Sequence, residues 1–350
     1  MITSQKVKEI AKNLGADLCG IASMNRFEGA PAQMDPRYIF PGAKSLIMLG
    51  YRIPRGTLRG IEEGTFFINY SSMGYAGINL VYGPVVLWHL NRILEDEGFE
   101  TVPIANMNGA EALNPLTGNF RKGWSMSADG KKPHPDILIH YRIAAFCAGL
   151  GEIGYSRLFL TPEFGPRNRF NLLLTAAALE PDPIYEGPKL CDRCMLCVKN
   201  CTTCALSKTE TQKVRVAGHD LEWAKLDPYA CEAGISGGEQ GERNPFIGDF
   251  PHQYGYGRAV EGAFGCMRAC MVHLEERGVL KTKFSEPFRT EKPWKVDHKD
   301  EDKVAPIIRE QYLDKGKVEN ADEYVNYNKT SNYGNEKGSS SGLGLGKDDE

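Results

Sequence analysis

The stretch Cys191-Asp-Arg-Cys194-Met-Leu-Cys197-Val-Lys-Asn-Cys201 places four cysteines within eleven residues, and Gly265-Cys266-x3-Cys270 follows far downstream. Four thiolates are too many and too close together for one tetrahedral zinc ion, because zinc sites usually pair two Cys-x2-Cys knuckles across a longer loop. Zinc is therefore kept as the less favoured interpretation of these cysteines.

The spacing of the run is that of a bacterial two-cluster ferredoxin, in which three close cysteines hold one [4Fe–4S] cube and the fourth ligates the other cluster. We therefore assign Cys191, Cys194 and Cys197 to a first cube and Cys201 to a second cluster. By the same logic Cys270 returns to complete the first cube. The pattern predicts an iron–sulfur protein that transfers electrons.

The composition is that of a folded chain of about two domains. Of the 350 residues, 41% are hydrophobic and 25% are charged, which is ordinary for globular proteins. The net charge of −3 gives no reason to expect a surface that binds nucleic acid or anionic membranes. We therefore expect neither of these partners.

Eight of the ten cysteines lie between Cys191 and Cys270, in and around the ferredoxin-like run. Cys19 and Cys147 lie elsewhere, and we predict that both are buried structural thiols. The N-terminal residues lack an apolar signal core and a twin arginine, and no apolar run approaches the length of a membrane span. We therefore expect a cytoplasmic protein.

Helical and strand patterns alternate over residues 1–105, which favours an α/β layer architecture. The predicted elements are a helix over Val7–Leu14 ended by Gly15, a buried strand over Ser45–Ile53, a helix over 79–97 with Pro84 in its first turn and Gly98 as its cap, and a strand over Phe99–Ile104. A helix over Ile137–Ala148 and a strand over Asn171–Leu179 complete the first domain.

Residues 106–135 show no periodicity and are too long for a plain connection. They form either a surface insertion or a lid over a substrate, with Trp124 and Met126 as apolar contacts. The chain is thus predicted to comprise three parts. These are a core over 1–180 that contains the insertion, an iron–sulfur domain over 181–290, and a charged extension with a flexible tail over 291–350.

The stretch Gly149-Leu-Gly151-Glu-Ile-Gly154 formally matches a dinucleotide-binding fingerprint. That fingerprint needs a strand before it, a helix after it and an acidic residue about twenty positions on. Here a helical pattern precedes the glycines and a strand pattern follows them. We therefore interpret the glycines as positions where the backbone closely approaches a flat ligand or another element.

Four motifs follow one another along the chain: Ala148-Gly-Leu-Gly-Glu-Ile-Gly154, Leu158-Phe-Leu-Thr-Pro-Glu-Phe-Gly-Pro-Arg-Asn-Arg169, Leu179-Glu-Pro-Asp-Pro183 and the cysteine run. In this order they resemble the corrinoid-dependent reductive dehalogenases, whose wider group includes the epoxyqueuosine reductases. The opening VKEIAKNLGADLCGIA is similar to the start of the same catalytic core. The resemblance spans roughly residues 5–285.

The resemblance implies an α+β fold, with a nitroreductase-like α/β core that holds base-off cobalamin and a C-terminal ferredoxin-like domain with two [4Fe–4S] clusters. A low-potential donor such as ferredoxin or flavodoxin would supply electrons, which would pass through the clusters to the corrinoid and then to a small-molecule substrate. Gly149, Gly151 and Gly154 are then the expected cofactor-binding positions.

The chain departs from the family in its second cysteine motif. Ala263 stands where that motif would have its first cysteine, and Thr202 replaces the proline that would follow Cys201. The second cluster is therefore assigned to the remaining cysteines of the region, Cys201, Cys266 and Cys231, with Cys204 as the available fourth ligand. A three-iron cluster and a non-cysteine ligand are the alternatives.

In the resembling dehalogenases a tyrosine four residues after a Ser or Asn is thought to protonate the substrate, assisted by a Lys or Arg. Ser71-x3-Tyr75 has that spacing, and Tyr82 and Tyr70 compete for the role. The candidate cations are Arg167 and Arg169, because a nearby cation stabilises the phenolate that remains. The alternative is that these tyrosines pack in the core with satisfied hydroxyls.

Two other functions stay open. One is an electron-transfer iron–sulfur subunit without corrinoid, in which the α/β core serves as a docking scaffold. The other is a tRNA-modifying enzyme of the epoxyqueuosine reductase type. Against the latter, the Gly-Lys-Asn step of that branch reads Gly154-Tyr155-Ser156, and its aspartate-led motif has only Asp136 as a candidate.

Overall fold

A computed structural model describes residues 2–66, 68–106, 127–133, 137–201, 204–227, 231 and 265–292. Most of the predicted insertion, with Trp124 and Met126, lies outside these residues, as does the predicted tail from 293 onwards. Asp136, Thr202 and Ala263 also lie outside them.

The chain is a mixture of helices and strands. The helices are α1 (Ser4–Leu14), α2 (Arg59–Glu62), α3 (Gly83–Asp96), α4 (Tyr141–Cys147), α5 (Leu196–Lys199) and α6 (Cys266–Glu276), and a π-helix (Tyr70–Tyr82) leads directly into α3. The strands are β1 (Leu18–Ser23), β2 (Ser45–Arg52), β3 (Thr101–Ile104), β4 (Glu152–Ile153), β5 (Phe159–Leu160), β6 (Asn168–Thr175), β7 (Leu206–Val216) and β8 (His219–Leu226).

The central sheet has four antiparallel strands in the order β1-β2-β6-β3. Its register places Tyr51 of β2 opposite Arg169 of β6. Ile47, Leu49 and Leu173 point from one face of the sheet into a core shared with α1, α3 and α6. The other face packs against α4, so the sheet lies between two helical layers.

The mixed α+β class and the layered arrangement are confirmed, while the specific nitroreductase-like core and ferredoxin-like domain stay predictions. Both faces of β2 are buried, as expected from its nearly continuous apolar sequence. Each leucine or isoleucine that is fully buried there stabilises the fold by about 1.5–3 kcal/mol relative to exposure. No helix of the described residues is both long enough and apolar enough to cross a bilayer.

The first predicted helix is confirmed and begins earlier than its apolar pattern, at Ser4, because the Thr3 hydroxyl accepts from the Lys6 amide. Gly15 ends it in the left-handed conformation, with a φ of 113°. Pro84 lies in the first turn of α3, as predicted, but the preceding turns form the π-helix rather than the α-helix expected from residue 79.

The predicted helix over Ile137–Ala148 is shorter in the structure, because only Tyr141–Cys147 is helical. His140 precedes it and its Nδ1 accepts from the Ile143 amide at 3.3 Å, which caps the helix. The strand predicted over Asn171–Leu179 begins three residues earlier, at Asn168, and ends at Thr175. Apolar runs of this kind do not mark element ends by themselves.

The hairpin β7–β8 was not predicted. Its turn, Ala217-Gly218, has positive φ at both residues, which is the geometry of a tight two-residue hairpin turn. Most of the hairpin is exposed or half-buried, but Trp223 is buried and stacks on His140, with ring centroids 6.2 Å apart. Burial, aided by Arg142 and Arg157, lowers the pKa of His140 to about 4, so that this imidazole is neutral at pH 7.

Helix α6 joins the core of residues 1–180 through Met267 and Met271. A buried carboxylate fixes it there: Glu62 of α2 accepts from Arg268 and from Arg289, whose Nη2 lies 3.0 Å from Glu62 Oε2. Burial by itself would raise the pKa of Glu62, yet the hydrogen bonds and charges of the two arginines lower it. The division into domains at residue 180 stays a prediction.

We predict that Glu62→Ala lowers the free energy of unfolding by about 3–5 kcal/mol, because Arg268 would keep a buried and uncompensated charge. Glu63→Ala is the matched control, since its side chain is 56% exposed and its pair with Arg59 should contribute below about 1 kcal/mol. Urea unfolding of both variants measures the difference. Equal losses would show that the buried pair does not hold α6.

The same pair predicts a pH dependence. The pKa of Glu62 in the folded chain lies below the ordinary value of 4.5, so its contribution to stability is fully present above that value. The contribution is lost as the pH falls through the lowered pKa. Wild type and Glu62→Ala should therefore converge in stability in acid.

Candidate functional site

The cysteines predicted to form the first cluster lie on a tight loop and on α6. The loop Cys191–Cys197 turns through left-handed residues at Arg193 and Met195, with φ of 57° and 62°, and enters the single turn of α5. Cys270 of α6 packs with Cys191 against Leu160, Leu190 and other leucines.

The thiols are close enough to oppose one another's ionisation. Burial raises the pKa of Cys270 well above its ordinary value, and the charges of Cys191, Cys197 and Cys194 raise it further. Burial likewise raises the pKa of Cys197 to about 11, with contributions from Cys191 and Cys194. Several buried thiolates at one place are unfavourable without a cation to neutralise them, so this soft donor set fits a metal centre.

Backbone amides point at two of the sulfurs. The Tyr155 amide donates to Cys191 Sγ at 3.3 Å, and the Ala205 amide donates to Cys201 Sγ at 3.2 Å. Hydrogen bonds to cysteine sulfur are among the interactions that set the reduction potential of iron–sulfur clusters. The arrangement around both sulfurs therefore fits cluster binding.

Glu152 anchors the start of the cysteine loop. Its Oε1 accepts from the Cys191 amide at 2.5 Å, and the Leu190 amide also donates to this carboxylate. Burial raises the pKa of Glu152, against the effect of these hydrogen bonds. Tyr155, three residues later, donates its hydroxyl to the Ser207 carbonyl at 3.2 Å and so ties the same segment to β7.

We predict that Glu152→Ala lowers both the stability and the iron retained at the first cluster, because two amides at the loop lose their acceptor. An unsatisfied buried amide costs about 1–3 kcal/mol. Glu152→Gln is the matched control, since its carbonyl oxygen can still accept. Iron assays and urea unfolding should separate the two variants, and identical behaviour would contradict an anchoring role.

The second-cluster cysteines are only partly brought together. A Cβ at Gly265 would lie 1.6 Å from the Asn200 carbonyl oxygen, so only glycine allows α6 to begin against the Asn200–Cys201 peptide. This approach packs Cys266 and Cys201 into one cluster of side chains. Cys204 is exposed, and Cys231 lies within electrostatic range of Arg157. The assignment of all four to one cluster stays a prediction.

Asp192 organises the outer side of the loop. Its Oδ1 accepts from the Cys194 amide at 3.2 Å, and its Oδ2 lies 2.8 Å from His273 Nε2 and 3.5 Å from Arg277 Nε. Partial burial would raise the pKa of Asp192, but the hydrogen bonds from His273 and the Cys194 amide, with Arg277, lower it. Asp192 is therefore a carboxylate at neutral pH. The sequence reasoning identified neither Asp192 nor His273.

The glycine-rich stretch packs against other backbone. A Cβ at Gly149 would lie 2.2 Å from the Pro183 carbonyl oxygen, and one at Gly151 would lie 2.0 Å from that of Leu160. Helix α4 precedes the glycines, β4 lies within the motif and β5 follows it, which is the reverse of the strand and helix order in the dinucleotide fingerprint. The rejection of that fingerprint is confirmed. A cofactor-binding role for Gly149, Gly151 and Gly154 stays a prediction.

A second group of candidate residues surrounds Arg169 on β6. Its Nη2 donates to the Tyr70 hydroxyl at 2.7 Å, and its guanidinium carbon lies 4.1 Å from the centroid of the Tyr75 ring. Both tyrosines belong to the π-helix, where Tyr70 is fully buried and Tyr75 is partly exposed. Wide helical turns of this type are frequent at functional sites.

The structure places the other two candidates elsewhere. Tyr82 donates its hydroxyl to the Gly15 carbonyl at 2.9 Å, next to the end of α1. Arg167 is buried and donates to the Ile53 carbonyl at 2.7 Å, with its guanidinium carbon 5.5 Å from the Phe284 ring centroid. Burial lowers the pKa of Arg167 to about 10. Of the two candidate cations, Arg169 is the one that contacts Tyr70 and Tyr75.

Cys19 and Cys147 lie apart from the cysteine loop and from the tyrosines around Arg169. Burial raises the pKa of each thiol to about 12. Cys147 is fully buried against the sheet, and Cys19 packs at the edge of the opposite core. Both fit the predicted role of structural thiols.

Comparison with known proteins finds similarity to reductases. No family model matches it. A tetrachloroethene reductive dehalogenase of Desulfitobacterium hafniense is 36% identical over 88 residues, which are 25% of this chain and 14% of that protein. The match thus covers a small part of this curated relative.

Among solved structures, a B12-dependent reductive dehalogenase is 17% identical with a TM-score of 0.47, over 71% of this chain and 30% of that one. An epoxyqueuosine reductase bound to a tRNA stem loop is 16% identical with a TM-score of 0.45, over 83% of this chain and 68% of that one. Structural similarity at this level supports no statement about the substrate or cofactor of this chain. The expectation that nucleic acid is not a partner finds no support in these comparisons. The chain is similar in sequence to a reductive dehalogenase over a quarter of its length. Reductive dehalogenases and epoxyqueuosine reductases are among the solved structures similar to it. To this extent the resemblance indicated by the ordered motifs is confirmed.

Proposed function

We propose that this chain is an iron–sulfur oxidoreductase of the reductive dehalogenase type. Electrons from a low-potential donor such as ferredoxin or flavodoxin would enter through two clusters and reach a small-molecule substrate. The observation that carries the proposal is the convergence of Cys191, Cys194, Cys197 and Cys270. Their charges oppose one another's ionisation, and the Tyr155 amide donates to Cys191 Sγ. Both features suit an iron–sulfur cluster.

The first cluster would be held by those four cysteines. The second would use Cys201, Cys266 and Cys231 with Cys204, or would be a three-iron cluster. The clusters would supply one-electron transfer, and the protein would set their potential through the Tyr155 and Ala205 amides. Glu152 would hold the loop in place.

Proton delivery would fall to Tyr75. Arg169 lies over its ring at 4.1 Å, and a cation at that position favours the phenolate left after proton transfer. The bond from Arg169 to the Tyr70 hydroxyl fixes the guanidinium in this orientation. Tyr70 is then a positioning residue, and the partly exposed Tyr75 is the one that a substrate can reach.

A corrinoid is the acceptor that the resemblance implies, but Gly149 and Gly151 have a packing role in this structure. A Cβ at either position would meet the backbone of Pro183 or Leu160, so the close packing of the chain already explains why these two residues are glycine. We therefore derive no step through a corrinoid. This packing favours a second candidate, an electron-transfer iron–sulfur subunit that passes electrons to a partner enzyme.

Anaerobic reconstitution of the full chain with iron, sulfide and cobalamin tests the proposal. About eight iron atoms per chain, with reduction of aryl or vinyl halides by a low-potential dye, would support it. Iron without cobalt and without turnover would favour the electron-transfer subunit. Turnover of an epoxyqueuosine-containing tRNA stem loop instead of halides would favour the tRNA-modifying alternative.

A further inference from the structure

Three side chains of different chemistry meet on the outer side of the cysteine loop. The ligand atoms of Asp192, Cys194 and His273 all lie within 4.8 Å of one another. His273 Nε2 and Asp192 Oδ2 are 2.8 Å apart, and the side chains are 21% and 37% exposed, respectively. A small ion from solvent can therefore reach all three.

The fold holds these groups in place from two directions. Asp192 and Cys194 flank the left-handed Arg193, and the Cys194 amide donates to Asp192 Oδ1, which leaves Oδ2 directed at His273. His273 lies one helical turn beyond Cys270 on α6. Arg277, one turn further, contacts Asp192 Oδ2 at 3.5 Å and donates to the Leu190 carbonyl at 2.6 Å.

We propose that Asp192, Cys194 and His273 form a mononuclear site for a divalent cation of the zinc class. Zinc takes thiolate, imidazole and carboxylate ligands together, whereas magnesium and calcium require oxygen donors. Three protein ligands leave a fourth position for water. Binding would release the proton of the Cys194 thiol to solvent, and His273 would bind through Nε2 as the neutral tautomer that carries its proton on Nδ1.

The site shares Cys194 with the predicted first cluster, so the two metals exclude each other. This consequence rests on the proposed cluster assignment, whereas the mononuclear site itself does not. Zinc bound before cluster assembly would remove one of the four thiolates that the first cube needs. Which metal centre forms would then depend on whether zinc or iron binds first.

Cobalt(II) is the probe for the mononuclear site, because its visible spectrum reports four-coordination and its thiolate charge-transfer band reports the number of sulfur ligands. Full-length protein stripped of iron should bind about one equivalent, with the intensity of a single thiolate. His273→Ala and the isosteric Asp192→Asn should weaken binding by at least about 10–100-fold. His89→Ala, at an exposed histidine of α3, is the matched control and should bind cobalt like wild type.

Cys197→Ser distinguishes this site from the cluster. It should keep the cobalt spectrum while failing to assemble the first cluster, and His273→Ala should assemble that cluster even when zinc is present. Cobalt binding that is lost in Cys197→Ser and kept in His273→Ala would place the metal on the cluster cysteines and overturn the proposal. Absence of cobalt binding in wild type would overturn it as well. Either result leaves the proposed redox function to its own test.

Discussion

Loss of about half of the iron is the expected result of replacing Cys197 with serine. Cys197 is the most buried cysteine of the loop and packs between Cys191, Cys201 and Cys266. A serine hydroxyl at this position would be a hard ligand that keeps its proton, so the first cube would lose one of its four attachments. The second cluster, which takes its ligands from other cysteines, should remain.

The matched control is Cys147→Ser, because Cys147 is also buried and lies on α4 against the sheet, in a core cluster that contains none of the loop cysteines. Iron per chain should fall from about eight to about four in Cys197→Ser and stay near eight in Cys147→Ser. Electron paramagnetic resonance of the reduced protein should then show one cluster instead of two. Equal iron in both variants would remove Cys197 from the ligand set.

The second large effect concerns turnover. Tyr75→Phe removes one hydroxyl without changing the shape of the ring, so both clusters should be retained. Turnover should fall by about 10²–10⁴-fold, which is the usual contribution of general acid catalysis. Arg169→Lys should lower turnover less, since it keeps the charge but loses the planar contact with Tyr75 and the geometry of the bond to Tyr70.

Two companion variants test the competing assignments. Tyr70→Phe removes the acceptor for Arg169 and should lower turnover only through the position of the guanidinium. Tyr82→Phe removes a hydroxyl that donates to Gly15, away from Arg169. Full activity in Tyr75→Phe with loss in either companion would assign the proton donor to that tyrosine. Full activity in all three would mean that the proton comes from another group.

The sequence alone determined the features that depend on local spacing. Apolar periodicity located α1, β2 and α3, and cysteine intervals of two and three residues predict which thiols would bind one cube. Gly15 was identifiable as a helix end because only glycine readily adopts the left-handed conformation. These features follow from the geometry of a short stretch of backbone.

Tertiary structure alone decided which distant side chains meet. Arg169 and Tyr70 are separated by 99 positions, and the sheet register opposite Tyr51 brings Arg169, rather than Arg167, to the π-helix. Shifting that register by one residue would turn Arg169 to the other face of the sheet. Likewise, the contact of Glu152 with Cys191 arises where β4 meets the cysteine loop, and that of His273 with Asp192 arises where α6 packs against the same loop. No local pattern encodes such contacts, because they depend on how whole elements pack.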